Sequence, residues 1–292
     1  MNAKRVDKIA TAVIYLLVGI VILILVALLG FILITGLPHV TWSFLTSPAS
    51  AFNAGGGIGD QLFNSFYLLF LTLLISFPIS LGAGIYLAEY AKKNRVTEAI
   101  RITIEVLSSL PSVVVGLFGF LLFVVQFKLG FSIISGAIAL TFFNLPLLTR
   151  NIENSLNGVS NLQREAGLSL GLSRWKTVTK VVVPAALPGI ITGIILSAGR
   201  VFGEAAALIF TAGQSAPVLN YANWNPFSGD SPLNIFRPAE TLAVHIWKIN
   251  TEGIMPDASQ VSAGASAVLI IAVLVFNLGA RWAGNYVYRR IT

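Results

Sequence analysis

Arg200 and Glu204 stand four residues apart in an apolar run, 181–212, that is otherwise fit for lipid. On a continuous helix that spacing puts both side chains on one face. An ionisable group at membrane depth costs roughly 2.5 to 3.5 kcal/mol on insertion scales, so its presence calls for a task. A guanidinium offers a planar fork of N–H donors that matches the oxygens of a tetrahedral anion. A carboxylate one turn away would hold that fork in place and neutralise it when no anion is bound. The same two residues could instead be a self-neutralised pair that serves packing alone. Arg150, in Pro146-Leu147-Leu148-Thr149-Arg150 and followed by Asn151, Glu153 and Asn154, is a second candidate for an anion pathway, with a plain basic anchor at the membrane boundary as the alternative. Little else in the chain could do chemistry. There is no cysteine, hence neither a disulfide nor a thiolate metal site. His39 and His245 are far apart and both read as loop residues, which leaves no imidazole cluster for a metal.

The elements that must position these groups follow from composition. Of 292 residues, 55% are hydrophobic and 11% charged, with a mean hydropathy of +0.82, whereas soluble domains carry about a quarter charged residues. The chain reads as an all-α polytopic membrane protein with about six spans, expected near 10–35, 62–90, 107–127, 132–154, 181–212 and 262–282. The second and fifth are long enough to tilt or project. A net charge of +7 would suggest nucleic acid in a soluble protein, but here the basic residues alternate by loop, and no nucleic-acid partner is expected. Lys4, Arg5, Lys8, Lys92, Lys93, Arg95, Arg101, Arg164, Arg174, Lys176, Lys180, Arg281, Arg289 and Arg290 fall on one side; Lys128, Arg237 and Lys248 fall on the other. By the positive-inside rule both termini and the loop 160–183 are expected in the cytoplasm. The first apolar run is longer than the h-region of a signal peptide and ends in Thr35-Gly36-Leu37-Pro38, so a retained anchor is expected. The chain divides into a first span with its outer loop, 1–60, and a core, 61–292, carrying the loop 160–183 and a proline-rich outer loop, 213–260. Within the latter, 240–250 has the apolar spacing of a short surface helix. Gly189-xxx-Gly193 and Gly199-xxx-Gly203 would let the fifth span approach other helices closely.

The loop 160–183 is the most specific feature. It reads Arg164-Glu165-Ala166-Gly167-Leu168-Ser169-Leu170-Gly171, then nine residues from Leu172 to Lys180, then Val181-Val182-Val183-Pro184. Ser160 or Asn161 can cap a helix with Glu165 near its positive end, Ala166 and Gly167 permit close approach of a facing surface, and Gly171 supplies a left-handed turn. A second short helix, 173–182, would then complete a knob perpendicular to the spans. This pattern resembles the cytoplasmic coupling loop of bacterial ABC-importer permeases, with Gly167 in place of a second alanine and Val181 and Val183 in place of other aliphatic residues. Leu110-Pro111-Ser112-Val113-Val114-Val115-Gly116-Leu117-Phe118-Gly119 resembles a segment of phosphate ABC-transporter permeases. Gly203-Glu204-Ala205-Ala206-Ala207-Leu208-Ile209-Phe210-Thr211-Ala212 resembles a segment of the A-type subunit of that family, departing from it at Ala205 and Ala207, and Gly55-Gly56-Gly57-Ile58-Gly59 fits the same subunit.

The resemblance implies a MetI-like permease core and a phosphate importer in which this chain pairs with a homologous C-type permease subunit, two cytoplasmic ATP-binding subunits and an extracytoplasmic phosphate-binding protein. No Gly-Lys-Ser/Thr nucleotide loop is present in the sequence, so ATP and Mg are expected on the partner ATPase and no cofactor on this chain. In that frame Arg200, Glu204 and Arg150 are the pathway candidates, and Glu165, Ala166, Gly167, Gly171 and Pro184 the coupling residues. Another oxyanion, such as phosphonate, sulfate or molybdate, would suit Arg200 equally. An intramembrane enzyme would need paired histidines, a cysteine or an aspartate pair, none of which the sequence offers; its Gly-x-Ser-x-Gly, Gly167-Leu168-Ser169-Leu170-Gly171, falls in the loop 160–183 and not in an apolar run. A scaffold would not need the buried charges.

Overall fold

The computed structural model describes residues 3–291 apart from 51, 216 and 254. Its order is α1 (Ala3–Gly36), α2 (Trp42–Thr46), α3 (Gly59–Ile85, prolonged by a π turn, Tyr86–Tyr90), α4 (Arg95–Ser108), α5 (Ser112–Gly119, prolonged by a π turn, Phe120–Gln126) and α6 (Ile133–Asn157). There follow α7 (Asn161–Ser169), α8 (Arg174–Thr177, joined by a π turn, Val178–Val182, to α9, Val183–Phe202), α10 (Ala206–Thr211), α11 (Leu242–Glu252) and α12 (Ala258–Ile291). No strand occurs among the described residues.

Among the described residues five helices are long and apolar enough to cross a membrane: Asp7–His39, Gly59–Tyr90, Ile133–Asn157, Arg174–Phe202 and Ala258–Tyr286. They coincide with five of the six expected spans. The span expected at 107–127 is different. Arg95–Ser108 and Ser112–Gln126 meet at 97°, because the residue before Pro111 is disfavoured in a helix and Pro111 itself takes an extended conformation. The second limb has 8 α-helical residues and 7 in its π turn, about 22 Å at 1.5 Å per residue, and the two limbs taken together as one bent span make a sixth candidate crossing. The first limb, α4, is amphipathic and leaves Val96, Ile102 and Val106 exposed. The fifth span also differs from expectation: it ends at Phe202, and 206–211 form the separate α10.

Lipid provides no hydrophobic drive between helices, so close packing must hold the bundle. Small side chains supply it. A Cβ on Gly84 of α3 would lie 2.6 Å from Ile152 Cγ2 of α6, one on Gly189 2.5 Å from Ser155 Oγ, and one on Gly193 2.9 Å from Asn151 Cβ. The first of the two expected glycine pairs on α9 therefore seats α6. The second does not: among the described residues no neighbouring element comes within 4 Å of a Cβ at Gly199, and Gly203 would meet only Gly199 O. Between α3, α6, α9, α10 and α11 lies an apolar centre of Leu68, Leu140, Ala198, Val201, Phe202, Leu208 and Val244. α1 keeps its apolar residues exposed along its length and touches the rest through its end, where Gly36 abuts Ala263 of α12.

Candidate functional site

Arg200 occupies the last turn of α9, where a cation favours the negative end of the helix dipole. Its guanidinium lies over the ring of Phe143, 3.7 Å from the centroid, and Phe143 is itself buried in α6. Glu204 does not clamp it. The helix stops at Phe202, which ends the i, i+4 relation the sequence suggested. The Glu204 carboxylate instead accepts from Ala207 N at 3.1 Å, at the start of α10. Among the described residues Arg200 forms no ion pair and donates no hydrogen bond. Stacking uses the face of a guanidinium and leaves its N–H edges free, so an open donor fork is held at membrane depth by a ring rather than by a carboxylate.

The two segments that flank this site in sequence also meet in space. A Cβ on Gly116 of α5 would lie 2.8 Å from Ala207 Cα of α10, and one on Gly119 2.9 Å from Thr211 Cγ2. The glycines of 110–119 are thus the seat on which α10 rests, and Glu204 caps the helix so seated. At the other end of the bundle Arg150 pairs with Glu105 of α4 at 3.0 Å. It borders a cleft of about 520 Å³ whose rim carries Lys93, Glu98, Arg101, Glu105 and Glu153. The structure therefore separates Arg150 from Arg200 and gives Arg150 a carboxylate of its own.

In the loop, Ser160 provides the cap of α7, accepting from Leu162 N at 3.3 Å. Gly171 is left-handed at φ +78°. Glu165 and Ala166 are exposed, with Glu165 beyond the first turn rather than within it. Gly167 faces inward: its Cβ would sit 2.8 Å from Thr177 Cγ2, so its smallness serves contact with α8, not with an outside surface. The expected second limb of a perpendicular knob is also corrected, because α8 continues without a break into the span Arg174–Phe202, with Pro184 in the first turn of α9. Inside a continuous helix Pro removes a backbone donor, and the π turn Val178–Val182 just before it is the local readjustment that accommodates it. Leu162, Leu168, Leu170 and Trp175 leave an apolar surface exposed beside Glu165.

Sequence reasoning missed two clusters. One is Glu89, at the end of α3, which binds Arg164 of the loop at 2.8 Å. The other closes the opposite end of the bundle. Buried Arg237 donates to Asn64 Oδ1 at 2.7 Å and Pro232 O at 2.9 Å. Glu240 accepts from Gln61 Nε2 at 2.9 Å and lies 3.2 Å from His245 Nδ1 and 3.6 Å from Lys248 Nζ. Burial raises the Glu240 pKa, but His245, Gln61 and Lys248 outweigh it and hold the carboxyl below its ordinary range. Burial and the bond to Asp60 push the Tyr221 hydroxyl far up. His245 thus lies on α11, the short helix expected within the outer loop, but is buried rather than at a surface. These groups tie the long loop 213–260 to α3. Their signal in sequence was only polarity at the start of an apolar run.

A family profile described as binding-protein-dependent transport system inner membrane component matches residues 80–292. The chain is 56% identical over 292 residues to the probable ABC transporter permease protein YqgI of Bacillus subtilis (strain 168), covering 100% of this chain and 99% of that one. It is 35% identical over 248 residues to the phosphate transport system permease protein PstA of Xylella fastidiosa (strain Temecula1 / ATCC 700964), covering 84% and 81%. Its fold is similar to a chain of the bacterial alginate ABC transporter solved with an alginate pentasaccharide-bound periplasmic protein, with a TM-score of 0.65 at 14% identity over 99% of this chain and 96% of that one. It is also similar to a chain of the inward-facing MetNI methionine ABC transporter, with a TM-score of 0.56 at 17% identity over 81% and 94%.

Proposed function

Because this chain belongs to the family of binding-protein-dependent transport system inner membrane components, we propose that it is the A-type permease subunit of an ATP-driven importer of inorganic phosphate. It is a multi-pass, MetI-like ABC permease, and its task is transport. The observation that carries the anion assignment is Arg200, an open guanidinium fork near the end of a candidate membrane span, stacked on Phe143 with its N–H edges unused among the described residues. The PstA relatives supply the choice of phosphate among oxyanions. A homologous permease subunit completes the pathway and covers the unpartnered Gly199. Two ATP-binding subunits receive the loop through Leu162, Glu165, Ala166, Leu168, Leu170 and Trp175, and an extracytoplasmic phosphate-binding protein docks on the far side. ATP and Mg act on the ATPase partners.

In proteoliposomes holding the full complex, ATP-dependent uptake of radiolabelled phosphate is the expected result, with sulfate and molybdate competing at least tenfold more weakly. Preferential uptake of another oxyanion would keep the transport reading and overturn the choice of phosphate.

The orientation gives a second test. The basic residues place the loop end of the bundle in the cytoplasm, with both chain ends on that side; Asn2 and Thr292 lie outside the described residues. The chain has no native cysteine, so introduced thiols report cleanly. A cysteine at Ser173 is expected to resist an impermeant maleimide in intact cells, and one at Ser228 to react. Labelling at Ser173 from outside would reverse the topology.

A further inference from the structure

Glu89 sits where four elements end. It lies in the π turn that closes α3, 8% exposed at its side chain, and no motif in the sequence marks it. Its Oε1 accepts from Arg164 Nε at 2.9 Å and from Arg164 Nη2 at 2.8 Å. Arg164 belongs to α7, and the same guanidinium donates to Leu156 O at 2.7 Å and to Val159 O, capping the carbonyl end of α6. From the other side of the loop, Arg174 of α8 donates to the backbone carbonyl of Glu89 and lies over the Tyr90 ring, 4.8 Å from its centroid. One carboxylate and its own peptide group therefore bind both limbs of the loop, while the arginine shared with it binds the end of α6.

The rest of the loop is attached differently. Its only covalent route into the bundle is through α6 on one side and the α8–α9 helix on the other, and its outer surface is exposed Leu162, Glu165, Ala166, Leu168, Leu170 and Trp175. A push on that surface reaches α9 directly through a continuous helix. It reaches α3 through the apolar packing of α3 on α6 and α9 and, at the loop itself, through the ion pair of Glu89 with Arg164. A buried ion pair is a poor source of stability, since an apolar contact of the same shape does as well, but its fixed geometry sets register. α6, gripped by the same arginine, carries Phe143 and hence the seat of Arg200.

We infer that Glu89 is the positioning residue that transmits movement of the ATPase-facing loop to α3 and α6, so that the Phe143 side and the Arg200 side of the pathway move together. This rests on the transport reading above. Without the clamp, α3 and α6 would follow the loop less closely than α9 does, and hydrolysis would run with less opening and closing of the path.

The test uses the whole complex in proteoliposomes, with Gly203→Cys as a reporter. That position is exposed, and its Cβ would meet only Gly199 O at an ordinary 3.5 Å. In the parent, the thiol's reaction rate with a small maleimide is expected to change at least tenfold between the nucleotide-free and ATP-trapped states, whichever anion is carried. Glu89→Ala is expected to retain ATPase subunits in normal amount and to hydrolyse ATP, yet to lose most of that change and to transport at least tenfold fewer anions per ATP. Exchanging the charges, Glu89→Arg with Arg164→Glu, is expected to recover part of both. An undiminished thiol response and normal transport per ATP in Glu89→Ala would overturn the clamp alone. Loss of ATPase subunits in proportion to transport would also overturn it, leaving Glu89 as a residue of folding or docking. A parent with no nucleotide response would overturn the transport reading itself.

Discussion

Arg200→Gln is expected to abolish anion uptake while the chain still assembles with its partners. Two charge-assisted hydrogen bonds to an oxyanion contribute about 1.5 to 3 kcal/mol each, so their loss lowers uptake by two orders of magnitude or more. Arg200→Lys keeps the charge but not the planar fork, and a small residue of uptake is expected. The structure sharpens this result, because Glu204 is already engaged at Ala207 N. Removing Arg200 does not strand a carboxylate whose partner was the guanidinium, and assembly is expected to survive. For the same reason Arg200→Gln combined with Glu204→Gln is not expected to restore uptake. Recovery in that double variant, measured as labelled phosphate in proteoliposomes, would make the two a structural pair and end the substrate role. Phe143→Leu supplies an intermediate case: the cation–π contact is worth about 0.5 to 2 kcal/mol, so uptake at limiting phosphate should fall roughly two- to thirty-fold with assembly intact.

How much of this was readable in the sequence depends on whether a residue is marked by its own neighbourhood. Arg200 stood out because charge in an apolar run is rare, and the run itself revealed the span. Phe143 did not, since nothing separates it from the other 18 of the chain's 19 phenylalanines until α6 and α9 are packed together. Glu204 was visible but misassigned, because the i, i+4 rule assumes a helix that continues, and this one stops at Phe202. The bend at Pro111 was misread for a related reason: hydropathy averages over a window and does not register a 97° turn inside it. Glu89 and Arg164 are 75 residues apart in sequence, and only the fold brings their charges together. In contrast, the glycines at 116 and 119 could be read as family marks without a known purpose. The structure gives the purpose, which is to let α10 lie directly on α5.

Gly171→Val is expected to leave the chain inserted but to reduce co-purifying ATPase and uptake together, by about tenfold. The end of α7 shows why. Gly171 N donates to Leu168 O at 3.0 Å, and Leu172 N to Gly167 O at 3.2 Å. This paired arrangement closes a helix with a left-handed residue, at φ +78° here. A Cβ at Gly171 would meet nothing within 4 Å, so space is not the obstacle. Strain is: an L-residue pays roughly 1 to 2 kcal/mol in this conformation, and a β-branched one more. The relief is to unwind the turn, which releases both hydrogen bonds and swings Leu170 and Trp175 out of their common surface. Asparagine tolerates the left-handed region, so Gly171→Asn should stay within about threefold of the parent in both measurements. The pair of substitutions thus separates conformation from size. Normal ATPase binding and uptake in Gly171→Val would remove the turn from the coupling mechanism. Equal losses in Gly171→Val and Gly171→Asn would assign the effect to a side chain blocking the docking surface, because only a demand for positive φ predicts that the larger polar residue is tolerated where valine is not.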